Sequence, residues 1–181
     1  YLNFNKSLQY SYDKVGNRVE MINSSDEKVQ YSYDSANRLK DLNYNNKITS
    51  FFYDNAGRKI KILYPNNIEI NYEYDCANRL LKLENKKNNG ELLCKFEYTY
   101  DKVGNRLSMK DNLGLHQYFY DKLYRITGVK YPHNKETTYQ YDNVGNRIKM
   151  IDSEIGELNY LYDEADRLLS AFKSQLSTTY E

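Results

Sequence analysis

Through most of this chain, apolar and aromatic residues recur at every second position before giving way to a short polar segment. Val29, Tyr31 and Tyr33 follow this rule, as do Ile68, Ile70, Tyr72 and Tyr74, then Cys94, Phe96, Tyr98 and Tyr100, and again Leu158, Tyr160 and Tyr162. A period of two predicts β-strands with one apolar-aromatic face. Each strand runs into a Tyr-Asp pair, and the eight pairs are Tyr12-Asp13, Tyr33-Asp34, Tyr53-Asp54, Tyr74-Asp75, Tyr100-Asp101, Tyr120-Asp121, Tyr141-Asp142 and Tyr162-Asp163. Their spacings of 21, 20, 21, 26, 20, 21 and 21 residues mark an array of units stacked on their neighbours. A second aromatic lies two positions before each of these tyrosines (Tyr10, Tyr31, Phe51, Tyr72, Tyr98, Tyr118, Tyr139 and Tyr160), so fifteen of the 21 tyrosines are motif positions.

After each Asp comes a short polar stretch and an arginine: Arg18, Arg38, Arg58, Arg79, Arg106, Arg125, Arg147 and Arg167. In five repeats three residues separate the two: Ser35-Ala36-Asn37, Asn55-Ala56-Gly57, Cys76-Ala77-Asn78, Lys122-Leu123-Tyr124 and Glu164-Ala165-Asp166. A three-residue hairpin loop ends in one residue with left-handed backbone, where Gly and Asn fit at least cost and Asp is tolerated. Asn37, Gly57, Asn78 and Asp166 hold that third position, and Tyr124 is the exception. The other repeats carry Lys-Val-Gly-Asn or Asn-Val-Gly-Asn at 14–17, 102–105 and 143–146, one residue longer, which predicts two loop lengths.

Taking Asp and Arg as the pair that closes every loop sets a register. Tyr12 then faces Val19, Tyr100 faces Leu107 and Tyr141 faces Ile148, while Tyr10, Tyr98 and Tyr139 face Met21, Met109 and Met150. The same rule sends Leu42, Ile60, Ile62, Leu81, Leu83 and Val129 to the face away from the tyrosines unless a bulge re-aims them. Variable links at 23–28, 43–47, 65–67, 86–90 and 132–135 join one hairpin to the next. The predicted fold is all-β, an antiparallel β-hairpin repeat meander of about sixteen strands with no helix beyond a short turn. It is expected to curl into a ribbon, spiral or partial hollow shell, because an open twisted sheet seldom exceeds about ten strands without curling. Residues 1–181 read as a single array, and the interrupted repeats at Tyr1–Phe4 and Thr179–Glu181 read as the ends of a fragment of a longer protein.

Composition narrows the partners. The 181 residues are 40% hydrophobic and 28% charged with mean hydropathy −0.91, which suits a thin, two-faced sheet better than a thick core. Net charge is +1 from 26 basic and 25 acidic residues, without a charged block, so neither nucleic acid nor an anionic membrane is an expected partner. No apolar run is long enough for a membrane-spanning helix. Cys76 and Cys94 are too far apart along the predicted hairpin to pair, and are expected to be free thiols.

The pattern Tyr-x-Tyr-Asp-x-x-(Gly)-Asn-Arg-Leu, at a period near 21 and across nearly the whole chain, resembles the YD repeats of the Rhs family. That family includes toxin-complex shell subunits, wall-associated bacterial proteins and teneurins. The resemblance implies a spiralling sheet wound into a hollow shell, which in the bacterial toxins encloses a C-terminal toxic segment. It also implies a secreted or cell-surface bacterial protein. The family's self-cleavage motif, with its Asp-Pro core, has no counterpart, since Pro65 and Pro132 do not follow Asp.

Candidate chemistry is sparse. A row of eight Asp at one sheet edge has the charge for a metal site, yet each carboxylate has an Arg nearby and suits turn capping. His116 and His133 fall in different repeats with no ligand partners at metal spacing. No phosphate-binding Gly loop is present, because each Val-Gly-Asn-Arg opens a strand. The Tyr, Asp, Arg and loop residues named above are therefore assigned structural roles, and no catalysis or cofactor is expected. The expected function is a non-catalytic wall that encapsulates or presents a toxin or effector segment of the same polypeptide. The alternative is a cell-surface adhesion module whose tyrosines bind carbohydrate. Edge-to-edge self-association is expected near Leu2–Phe4 and Leu168–Phe172, where strand edges are left unpaired.

Overall fold

A computed structural model describes residues 6–173, which form sixteen β-strands whose order in the sheet is their order in the chain. They are β1 (Leu8–Tyr12), β2 (Arg18–Asn23), β3 (Lys28–Tyr33), β4 (Leu39–Tyr44), β5 (Lys47–Tyr53), β6 (Lys59–Leu63), β7 (Ile68–Tyr74) and β8 (Leu80–Lys87), then β9 (Leu92–Tyr100), β10 (Arg106–Asp111), β11 (Gly114–Tyr120), β12 (Ile126–Lys130), β13 (Glu136–Tyr141), β14 (Arg147–Asp152), β15 (Gly156–Tyr162) and β16 (Leu168–Lys173). Among the described residues the one helical element is a single 3-10 turn at Pro132–Asn134, and no helix is long and apolar enough to cross a membrane. The fold is thus an all-β antiparallel meander. It divides into two compact units between Lys95 and Phe96, the first holding β1 to β8 and the start of β9, the second the remainder.

All eight turns share one geometry, so the expected second loop length is not found. The Asp N–H donates to the carbonyl four residues on in both classes, from Asp34 to Arg38 at 2.9 Å and from Asp13 to Asn17 at 2.9 Å. In the three glycine repeats the closing residue is Asn17, Asn105 or Asn146, and the arginine moves one place into the strand. The third loop residue has positive φ throughout: 56° at Asn37, 63° at Asn78, 59° at Asp166 and 81° at Gly57, with Gly16, Gly104 and Gly145 likewise and even Tyr124 at 61°.

Every second strand then carries a one-residue bulge. Tyr33 pairs with Leu39 but Ser32 with Asp41, leaving Lys40 between them. In the glycine repeats Tyr12, Tyr100 and Tyr141 therefore face Arg18, Arg106 and Arg147 rather than Val19, Leu107 and Ile148. Beyond the bulge Tyr10, Tyr98 and Tyr139 do face Met21, Met109 and Met150. The same extra residue brings Leu42, Ile62, Leu83 and Val129 opposite Tyr31, Phe51, Tyr72 and Tyr118, on the tyrosine face. Ile60 and Leu81 are themselves bulge residues and stay exposed.

These cross-strand pairs, worth about 0.2 to 1 kcal/mol each, make up the core. Ile62 and Val129 are the buried hydrophobic residues among those described, and no large side chain is wholly buried. The opposite face is held by polar contacts: Ser32 and Ser50 both donate to Asp41 at 2.9 and 2.6 Å, and Lys82 joins Glu73 to Glu84. Cys76 is an exposed free thiol in its turn, while the free thiol of Cys94 lies 2.9 Å from Asn85 Nδ2. Of the two expected edges, Leu2–Phe4 lies outside the described residues, and Leu168–Phe172 falls in β16, last in the sheet and exposed at every position.

Candidate functional site

Each turn is built around one carboxylate. In the Asp54 turn, Oδ1 accepts the N–H groups of Ala56 and Arg58, both at 2.9 Å, and Oδ2 accepts Arg58 Nε at 2.7 Å. Asp34, Asp75, Asp121 and Asp163 repeat this with Arg38, Arg79, Arg125 and Arg167. In the glycine repeats Asn17 and Asn105 donate Nδ2 to the equivalent Oδ2 of Asp13 and Asp101, at 3.0 and 2.7 Å. An amide N–H and a guanidinium Nε–H serve this oxygen alike, which is why Asn replaces Arg at the closing position without altering the loop. All eight motif carboxyls are held below their ordinary pKa. For Asp34, Asp75, Asp121 and Asp163 the backbone N–H of the closing Arg is the strongest cause. At Asp13, Asp54, Asp101 and Asp142 desolvation pushes upward, and the combined hydrogen bonds outweigh it.

Successive repeats are joined by contacts that the sequence alone did not reveal. The hydroxyl of the motif tyrosine donates to the first strand carbonyl of the preceding repeat: Tyr33 to Arg18, Tyr53 to Leu39 and Tyr74 to Lys59 in the first unit, Tyr120 to Arg106, Tyr141 to Ile126 and Tyr162 to Arg147 in the second, at 2.7 to 3.1 Å. The closing arginine reaches forward. Arg58 Nη1 donates to the Asp75 carbonyl at 2.9 Å and its guanidinium lies 5.0 Å from the Tyr74 ring; Arg38 and Arg125 do the same toward Asp54 with Tyr53 and toward Asp142 with Tyr141. Burial raises the pKa of Tyr53, Tyr74 and Tyr120, so each phenol stays protonated and able to donate. Tyr74→Phe is expected to lower stability by about 1 kcal/mol in urea unfolding, whereas Tyr124→Phe leaves it unchanged.

The displaced arginines behave differently. Arg18 lies 5.5 and 4.5 Å from the Tyr10 and Tyr31 rings, Arg106 lies 4.8 and 6.0 Å from Tyr98 and Tyr118, and Arg147 lies 5.6 and 4.5 Å from Tyr139 and Tyr160. Each is flanked by two aromatics of the tyrosine face. The signal for this division was present in the sequence as the offset from Asp, four residues or five.

The two histidines, in separate repeats, meet at one shallow hollow of about 300 Å³ in the second unit, beside Tyr131 and Pro132. His116 is tied to Asp111 at 3.1 Å and meets the Tyr131 ring edge-on; His133 sits in the 3-10 turn with φ of 62°. Among the described residues no three His, Cys, Asp or Glu side chains gather as a metal-binding group.

The profile of the teneurin YD-shell family matches residues 59–179, two thirds of the chain. The chain belongs to that family. Its fold is also found in the Tc holotoxin pore of Photorhabdus luminescens, with a TM-score of 0.77 at 19% identity over 90% of this chain and 10% of that one. The crystal structure of TcdB2-TccC3 without its hypervariable C-terminal region is similar at a TM-score of 0.79 and 19% identity, again covering 90% and 10%. Another TcdB2-TccC3 crystal structure gives 0.76 and 20% over 86% and 10%. At such identities the likeness shows a shared fold, and this chain spans about a tenth of the length of those chains. No curated protein sequence matches it. The repeat array is a YD-shell segment, and its role is structural.

Proposed function

We propose that this YD-shell segment is a stretch of wall in a longer polypeptide, secreted or displayed at a bacterial surface, and that it encloses another segment of that polypeptide without catalysing a reaction. The observation that carries the reading is the way repeats are joined. Tyr hydroxyl, Arg-to-carbonyl and Arg-over-Tyr contacts recur from one repeat to the next, so most of the chemistry-bearing motif side chains are committed to linking neighbouring repeats. A structure of this kind grows by adding repeats and is not organised around one pocket. The named Tyr, Asp, Arg and loop residues are on this reading structural, and residues 1–181 are one continuous array. The exposed β16 edge would receive a following strand, and self-association of the isolated chain is the corresponding proposal.

The adhesion alternative has less support. Ring faces that would stack on a sugar carry guanidinium groups, and the motif hydroxyls already donate to carbonyls. The test is made on the parent polypeptide. An enclosed segment is expected to resist added protease, and deleting residues 33–73, which joins Ser32 to Tyr74 in matching register, is expected to remove that resistance. Resistance unchanged by the deletion would refute enclosure. Micromolar binding of a neutral oligosaccharide, lost in Tyr98→Ala/Tyr118→Ala with the sheet intact, would replace it with adhesion.

A further inference from the structure

Five motif arginines are spent on the Asp of their own turn, but Arg18, Arg106 and Arg147 have no carboxylate and accept no such role among the described residues. Arg106 and Arg147 are exposed and Arg18 half-exposed, and each guanidinium carbon lies 4.5 to 6.0 Å from the centroids of two tyrosine rings. The acidic groups on the same face of the second unit are already engaged: Asp111 with His116, and Asp152 with Thr137 at 2.6 Å. A guanidinium held near ring faces by cation–π attraction keeps hydrogen-bond donors that suit a planar, bidentate acceptor.

From this we infer that the tyrosine face binds a carboxylate-bearing peptide segment, with Arg106 and Arg147 each receiving one Asp or Glu side chain. Peptide is favoured over sugar because the rings are covered by guanidinium, which leaves charge and not ring surface to be recognised. The geometry also sets a spacing. β10 and β14 are four strands apart in the sheet, about 19 Å at the usual strand separation, which an extended chain crosses in roughly six residues. The occupant is therefore an extended acidic segment with carboxylates about six residues apart. This deepens the wall reading by giving the chemistry of what the wall meets, and it rests on that reading for the identity of the partner as a segment of the parent polypeptide.

The test uses the full 181-residue chain and a labelled synthetic peptide of Gly, Ser and Thr with Glu at every sixth position, followed by fluorescence anisotropy at low salt. Binding is expected, with about tenfold weaker affinity in Arg106→Gln/Arg147→Gln. Lys102→Gln/Lys122→Gln, which removes the same charge from exposed turns, is expected to bind within about twofold of the parent. Arg106→Lys/Arg147→Lys keeps both charges and is expected to recover only part of the affinity, since an ammonium lacks the bidentate fork. Circular dichroism on each variant checks that the sheet persists. The inference is overturned if the Glu peptide does not bind, if its Gln counterpart binds equally well, if the two double Gln variants behave alike, or if an acidic oligosaccharide binds where the peptide does not. Failure here leaves protease protection of the parent as a separate readout, so loss of this partner and loss of the wall are distinguishable.

Discussion

Stability is expected to hold on a broad plateau and to fall steeply below about pH 4 and above about pH 10. The acid limb comes from the turn carboxyls, all of which have folded pKa values below the ordinary carboxylate value. A depressed pKa means that the unfolded chain binds more protons as pH drops, so the stabilisation is complete above the unfolded value and drains away as pH falls toward the folded one. The alkaline limb has the opposite sign. Burial raises the pKa of Tyr53, Tyr72, Tyr74, Tyr98, Tyr120 and Tyr139, so their contribution is full below the unfolded value and is lost as pH climbs through the folded one. Because an equivalent Asp carboxylate closes each of the eight turns, protonation strikes all repeats together. Urea midpoints measured from pH 2 to 11 should trace this plateau, and Asp75→Asn, which removes one of the eight titrating carboxyls, should make the acid limb shallower. A flat profile down to pH 2 would show that the turns do not depend on ionised Asp.

The second large effect is expected at the left-handed turn position. Asn78→Val should cost about 2 to 4 kcal/mol, because a β-branched residue is strained at a φ of 63° and Arg58 Nη1 loses the Asn78 Oδ1 acceptor 3.0 Å away. Asn78→Gly relieves the strain and loses only the acceptor, which separates the two causes. Ala77→Val, in the same turn without positive φ, is the control and should stay within about 0.5 kcal/mol. Tyr124 offers the reverse experiment. It holds a φ of 61° while 60% exposed, so Tyr124→Asn should stabilise by about 0.5 to 1 kcal/mol. Equal costs at positions 77 and 78 in chemical denaturation would mean that the loop conformation is not what constrains the sequence.

The arginines show how a small offset changes a residue's work. Four positions after Asp, an arginine is a turn closer and a forward strut to the next repeat, as Arg58 is for Asp54 and Asp75. Five positions after, it is itself the first residue of the strand, paired with the motif tyrosine, and lies between two other tyrosines, as Arg147 does between Tyr139 and Tyr160. The glycine repeats thus release a cation from the edge to the face while keeping the turn intact.

Local physics alone determined much of this protein. Period-two patterning located the strands, Asp with its short polar loop located the turns, and Asn37, Gly57, Asn78 and Asp166 announced left-handed backbone, because each of these depends on neighbours a few residues away. The faces of the second strands were decided only in three dimensions. Counting from Arg misplaced Val19, Leu107 and Ile148 opposite tyrosines and left Leu42, Ile62, Leu83 and Val129 on the wrong side, since a single bulged residue reverses every later position and no residue type declares it. The tyrosine-to-carbonyl bonds, the stacked arginines and the meeting of His116 with His133 at one hollow likewise join residues from different repeats. Their partners are set by register and strand order, which only the assembled sheet supplies.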